Sequence, residues 1–170
     1  VLAYREPTME LAEIELDFKP DIILVDGQEC NVAKQIILQE KDAISVIDAG
    51  RATDNIIELC KIVDYVVCSR VFAEEVSGLK VDYQNKETLK AIFIKLKEIF
   101  NGEVVITLED KGSLYQDGQK IMLMPSLKVK AIDSTGAGDI FHGAFIYGLV
   151  KKWPIKKICK LSNIAGALSV

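Results

Sequence analysis

Apolar residues fall into two alternating rhythms along the chain. Ile22-Ile23-Leu24-Val25, Ile44-Ser45-Val46-Ile47, Tyr65-Val66-Val67-Cys68 and Val104-Val105-Ile106-Thr107 are short, almost continuous apolar runs. Runs of this kind mark strands buried on both faces. Between them the apolar spacing becomes helical. Val32, Ile36, Ile37 and Leu38 predict a helix over 29–40, and Ile56, Ile57, Leu59 and Cys60 predict another over 54–62. A short helix near 72–77 stops at Gly78. The clearest helix runs from Lys86 to Phe100, with Leu89, Ile92, Phe93, Leu96, Ile99 and Phe100 on one face and Asn101-Gly102 as its stop.

The second half continues differently. Residues 113–116 and 120–124 read as a hairpin around Asp117-Gly118. A strand near 127–132 leads into a run of small residues. Helices over 138–151 and 155–168 follow, divided by Pro154. Residues 1–18, where Glu10, Glu13, Glu15 and Asp17 alternate with apolar residues, read as a short helix ended at Lys19-Pro20.

Strands alternating with helices predict an α/β fold: a parallel, doubly wound sheet with helices on both faces, one domain over 1–170. Ligands of such sheets bind beyond the carboxyl ends of the strands. Asp26, Asp48, Arg51, Ser69 and Thr107 each close or follow a strand. Asp26, Asp48, Ser69, Thr107 and Asp139 should therefore gather at one edge.

Composition narrows the function classes. The chain has 170 residues, 49% hydrophobic and 27% charged, with a formal net charge of −4. That balance argues against nucleic acid, whose binding needs a basic surface. Lys151, Lys152, Lys156, Lys157 and Lys160 read as a solvated face around a helix end. No apolar run approaches bilayer length, so no membrane partner is expected. Cys30, Cys60, Cys68 and Cys159 form no C-x-x-C pair and read as thiols in a reducing compartment, which points to the cytoplasm.

Chemistry concentrates at Asp133-Ser134-Thr135-Gly136-Ala137-Gly138-Asp139. Glycines at a strand-to-helix turn expose amides at a helix start, where anions bind. Asp139 stands in the first turn, beside such an anion. An anion cradle next to a carboxylate suits phosphoryl transfer, the acid taking the proton of an attacking hydroxyl. The other reading is a tight turn with Asp139 as a capping acid. Ala144, where a Walker A loop needs Lys, excludes that loop, and Phe141 excludes the dinucleotide fingerprint.

Asp133-Ser134-Thr135-Gly136-Ala137-Gly138-Asp139-x-Phe141-x-Gly143-Ala144 resembles the C-terminal signature of the ribokinase-like (PfkB-type) carbohydrate kinases. The resemblance implies that fold, Asp139 as catalytic base, and an anion hole from the backbone of Gly136, Ala137 and Gly138. It also implies ATP and Mg²⁺, with K⁺ a further candidate held by Asp133 and Thr135. Local turn hydrogen bonding is the alternative for those two residues.

Residues 107–112 resemble the family's nucleotide-lining turn, with Thr107 and Gly112 matching and Glu109 standing where Gly is usual. A carboxylate there should repel phosphates. Asn163, with Ala165, Gly166 and Ala167, resembles the wall of the adenine pocket, although small residues also serve close helix packing. Ser69 and Phe72 replace the Asn and Glu of the family's Asn-x-x-Glu, so no metal role passes to Phe72. Ser69-Arg70 resembles ketohexokinase-like members. His142, the only histidine, reads as core or surface filling rather than a substrate contact.

The resemblance runs from about Ile22 to Val170 and is strongest over 131–145. The family's N-terminal sugar-recognition motif and lid are absent, so the chain reads as the C-terminal catalytic portion of a longer protein. The expected activity is ATP-dependent phosphorylation of a small sugar or sugar-like alcohol, with a homodimer as the candidate assembly. A vitamin or nucleoside kinase, or a nucleotide or sugar sensor without turnover, are the alternatives.

Overall fold

A computed structural model describes residues 14 and 16–170. The helix expected over 1–18 lies almost wholly outside the described residues. Six strands form one sheet in the order β1-β2-β3-β4-β5-β6: β1 Ile22–Val25, β2 Ile44–Ala49, β3 Tyr65–Ser69, β4 Glu103–Thr107, β5 Ser113–Asp117 and β6 Lys120–Met124. The first four are parallel, and β5 and β6 are antiparallel at one end. The helices are α1 Cys30–Gln39, α2 Asp54–Cys60, α3 Arg70–Ser77, α4 Lys86–Ile99, α5 Ala137–Val150 and α6 Ile155–Leu168.

The strands explain the two faces. In β3, Val66 and Cys68 point to one side and Val67 to the other; in β4, Val104 and Ile106 oppose Val105. Period-two alternation with every position apolar requires cover on both faces. Helices α1 to α4 pack on the face of Val66, Val104 and Ile106 through Ile37, Leu59, Phe72, Ile92 and Leu96. Helices α5 and α6 pack on the face of Val46, Val67, Val105 and Tyr115 through Phe141, Phe145, Leu149 and Ile158.

The expected α/β sheet with helices on both faces is thus present, but its winding has a particular origin. The parallel strands follow one another without reversal, and crossovers of one hand put their helices on one side. The second face is supplied by α5 and α6, which come after the hairpin.

The strand expected at 127–132 does not form; residues 125–132 carry no strand pairing. Pro125 removes a ladder donor just after β6. The apolar side chains beyond it have no layer to bury against: Leu127, Val129 and Ile132 are all exposed. The short helix expected at 72–77 starts two residues earlier, because Ser69 Oγ accepts from Phe72 N at 3.0 Å and caps it.

Candidate active site

The parallel strands deliver their polar residues to one edge. Asp26 follows β1, Asp48 lies near the end of β2, Ser69 closes β3, and Thr107 closes β4 in register with Ser69. Helix α5 brings Asp139 and His142 to the same edge. Asp26, Asp48, Asp139 and His142 line a cavity of about 400 Å³ whose apolar wall includes Leu24, Val32 and Ala33.

Helix α5 starts as the sequence pattern requires. Gly136 has φ +80°, a left-handed conformation that a Cβ would strain. No side chain caps the helix; Ala137 N donates to Ser134 O at 3.2 Å, and Ile140 N returns to Gly136 O at 3.0 Å. Ala137 N is thus engaged, while the Gly138 and Asp139 amides have no carbonyl partner within the helix, so this start offers those donors to an anion. The capping role considered for Asp139 is not observed: the side chain is in the first turn but does not cap.

Asp48 and His142 form the central polar contact of this edge. His142 Nδ1 lies 3.2 Å from Asp48 Oδ2 and 2.7 Å from Gly138 O, and Nε2 lies 3.3 Å from Val67 O. The imidazole is buried, packed edge-on to Phe141. His142 therefore fills the core, as expected, and also carries polar contacts that sequence reading missed. Its position three residues after Asp139 was the available signal; nothing in the sequence paired it with Asp48.

Burial pushes the Asp48 carboxyl above the usual carboxylate range; His142 partly offsets this, while Asp139 and Asp26 add to it. A raised native value means that ionised Asp48 weakens the folded state at neutral pH. Its contribution is favourable below the ordinary carboxylate value and is lost as pH rises through the raised one. Asp48→Asn is therefore expected to raise Tm at pH 7–8, with the gain closing as pH falls through the carboxylate range. Melting parent and variant side by side from pH 8 to pH 3 checks this; a lower Tm at neutral pH would contradict it.

The remaining candidates fall into two further groups. Thr107 donates to Cys68 O at 3.2 Å and pairs with Ser113 across β4 and β5. Gly112 has φ +104°, and its carbonyl accepts from Leu108 N at 2.7 Å. Asn163, buried on α6, donates to Ser113 Oγ at 3.1 Å and Met124 O at 3.0 Å. These three residues thus converge on the β4–β5 turn, with Asn163 tying the hairpin to α6. Asp133 and Thr135 form a separate, exposed turn in which Asp133 Oδ1 accepts from Thr135 N at 2.8 Å. That bond lowers the Asp133 carboxyl below its usual range.

The departures from the expected pattern also have physical explanations. Phe72 is fully buried and stacked on Phe100, so its position points into the core rather than toward a ligand. Ser69 Oγ donates to Gly50 O at 2.7 Å while capping α3. Glu109 has φ +55°, which accounts for a preference for glycine at such a turn. Its carboxylate is held by Arg70 Nε and Nη2 at 3.3 and 3.1 Å, and Arg70 Nη1 binds the buried Glu74 at 3.1 Å. Glu109 is therefore a paired charge. Arg51 makes an exposed ion pair with Glu75 at 2.9 Å.

Among the described residues no group of three or more His, Cys, Asp or Glu side chains is arranged to hold a metal ion. Phe72, in the core, offers no ligand to a metal. None of the described helices is long and apolar enough to cross a membrane. Cys60, Cys68 and Cys159 are buried, and burial pushes their thiols up, so they are inert at neutral pH.

Known proteins share both the sequence and the architecture. A ribokinase of Lactococcus lactis is 35% identical over 97 residues, covering 53% of this chain and 32% of its own. A deoxyribokinase of Salmonella typhi is 25% identical over 136 residues, covering 80% of this chain and 41% of its own. The structure of a Thermotoga maritima ribokinase superposes with a TM-score of 0.70 at 27% identity, over 88% of this chain and 50% of that one. Arabidopsis thaliana ribokinase, solved with ribose and ATP, superposes with a TM-score of 0.74 at 22% identity, over 87% of this chain and 49% of that one. The chain thus spans half or less of these relatives. The pfkB family carbohydrate kinase model matches residues 25–170, and the chain belongs to that family.

Proposed function

We propose that the chain forms the catalytic and nucleotide-binding part of an ATP-dependent kinase acting on a hydroxyl of a small sugar or sugar-like alcohol. One observation carries this reading. An uncapped helix start, entered through left-handed Gly136, stands at the carboxyl edge of a parallel sheet, and Asp139 in its first turn lines a cavity. The turn Gly136-Ala137-Gly138 presents the Gly138 and Asp139 amides as donors where charge develops on the transferring phosphoryl group. Asp139 takes the acceptor's proton as the acceptor oxygen bonds to phosphorus, and ADP leaves. Mg²⁺ would arrive with the nucleotide and offset the charge of its phosphates, and no described residue is assigned to it. Asp133 and Thr135 remain the candidates for K⁺.

Thr107, Gly112 and Asn163 are assigned to the nucleotide through the turn they share. Glu109 and Arg70 flank that turn, so Glu109→Gly has a definite expected outcome. It relieves a left-handed residue worth about 1 kcal/mol and frees Arg70 to meet phosphate. MgATP should bind several-fold tighter by calorimetry. Unchanged affinity would mean that Arg70 stays with Glu74 and takes no part in nucleotide binding.

The reading is tested by ADP release from the full-length protein across sugars, nucleosides and vitamins. Turnover confined to sugars is expected. Turnover on nucleosides or vitamins instead would assign the alternative kinase class, and nucleotide binding without ADP release across the panel would identify a sensor.

A further inference from the structure

We propose that His142 and Asp48 are positioning residues that fix the peptide joining Gly138 to Asp139, and through it the orientation of the base. The inference rests on the reading of Asp139 as that base. Its support is geometric. His142 Nδ1 lies within hydrogen-bond distance of two oxygens on different elements, the Gly138 carbonyl of α5 and the Asp48 carboxylate of β2. Nε2 faces a third oxygen, the Val67 carbonyl of β3. A carbonyl oxygen can only accept, so the short contact with Gly138 O places a hydrogen on Nδ1, which donates to it. The ring is buried, and its face is set by Phe141, so it has little freedom to move away.

The Gly138 carbonyl belongs to the same planar peptide as the Asp139 amide. Holding that oxygen therefore sets both an anion-hole amide and the Cα from which the carboxylate projects. Glycines at 136 and 138 leave this helix start pliant, and no side chain caps it. The imidazole compensates by tying the start to two strands of the sheet. A displacement of about 1 Å at a reacting group can cost on the order of 10²-fold in rate.

The test uses the full-length protein with the acceptor that the panel identifies. It compares His142→Ala, His142→Gln, Asp48→Ala and the double variant His142→Ala/Asp48→Ala. Values of kcat, KM for acceptor and nucleotide, and Tm are measured for each. The expected result is a kcat reduced on the order of 10–100-fold in both alanine variants, with both KM values within about threefold of the parent. Gln, which keeps a donor near the Gly138 carbonyl, should recover much of the loss. The double variant should be no slower than His142→Ala, because the two residues act through one contact.

Parent-like kcat in folded alanine variants would overturn the proposal. So would independent, multiplying losses in the double variant. A large rise in acceptor KM with kcat retained would overturn it by making Asp48 a substrate contact. If His142→Ala does not fold, Asp48→Ala, whose side chain is 28% exposed, decides the question on the same kcat and KM criteria. Asp139→Asn runs alongside: retained turnover there would remove the base assignment itself, a failure distinct from the others.

Discussion

Asp139→Asn is expected to leave the fold and MgATP affinity nearly intact while turnover falls on the order of 10²–10⁴-fold, the contribution of a positioned base. The substitution keeps the size of the side chain and removes its charge and basicity. Its effect on stability should be small for a structural reason. Helix α5 has no side-chain cap, so no capping bond is lost. What disappears is the attraction of a carboxylate for the helix start, about 0.3–1 kcal/mol at an exposed site. Turnover and thermal melting measured on the same preparation separate the roles. Loss of turnover at nearly constant Tm identifies a base. A substantial drop in Tm with activity retained would make Asp139 a structural residue.

Gly112→Ala should be the most destabilising single substitution in the nucleotide turn. A Cβ at this position would lie 1.9 Å from Met124 O and 2.8 Å from both Pro125 C and Ser126 N. Those atoms are backbone and cannot step aside as a side-chain tip can. The glycine also has φ +104° and ψ −135°, which an alanine does not adopt without strain. Either the β4–β5 turn opens or the end of β6 moves. The cost is on the order of 3 kcal/mol or more, roughly 6–12 °C in Tm for a chain of this size.

The damage should reach nucleotide binding, because Asn163 holds both Ser113, next to Gly112, and Met124. Gly118→Asn is the control. Gly118 also has a positive φ, +59°, but a Cβ there meets nothing within 4 Å, and Asn tolerates that conformation. A parent-like Tm for Gly112→Ala by calorimetry would show that the turn is softer than its geometry implies.

The parallel strands were legible because their apolar runs need cover on two faces, which few other folds provide. The hairpin was legible because Asp117-Gly118 names its own turn. The strand expected at 127–132 was not, because alternation alone does not say whether a second layer exists to bury Leu127 and Val129. The Gly136–Asp139 cradle could be read from local order, since its glycines and carboxylate are neighbours in sequence. The His142–Asp48 contact could not, since it joins α5 to β2 across the whole sheet topology. The charge of Glu109 was assigned to repulsion because the sequence does not show that Arg70 folds back onto it.

The central claim is phosphoryl transfer from ATP to a hydroxyl with Asp139 as base. Phosphorus NMR of the full-length protein, incubated with MgATP and its acceptor, tests it most directly. Parent protein is predicted to form ADP and one new phosphomonoester in equal amounts, while Asp139→Asn perturbs the ATP resonances on binding and forms almost neither product. ADP without a phosphomonoester, or comparable phosphomonoester formation by a well-folded Asp139→Asn, would contradict the account.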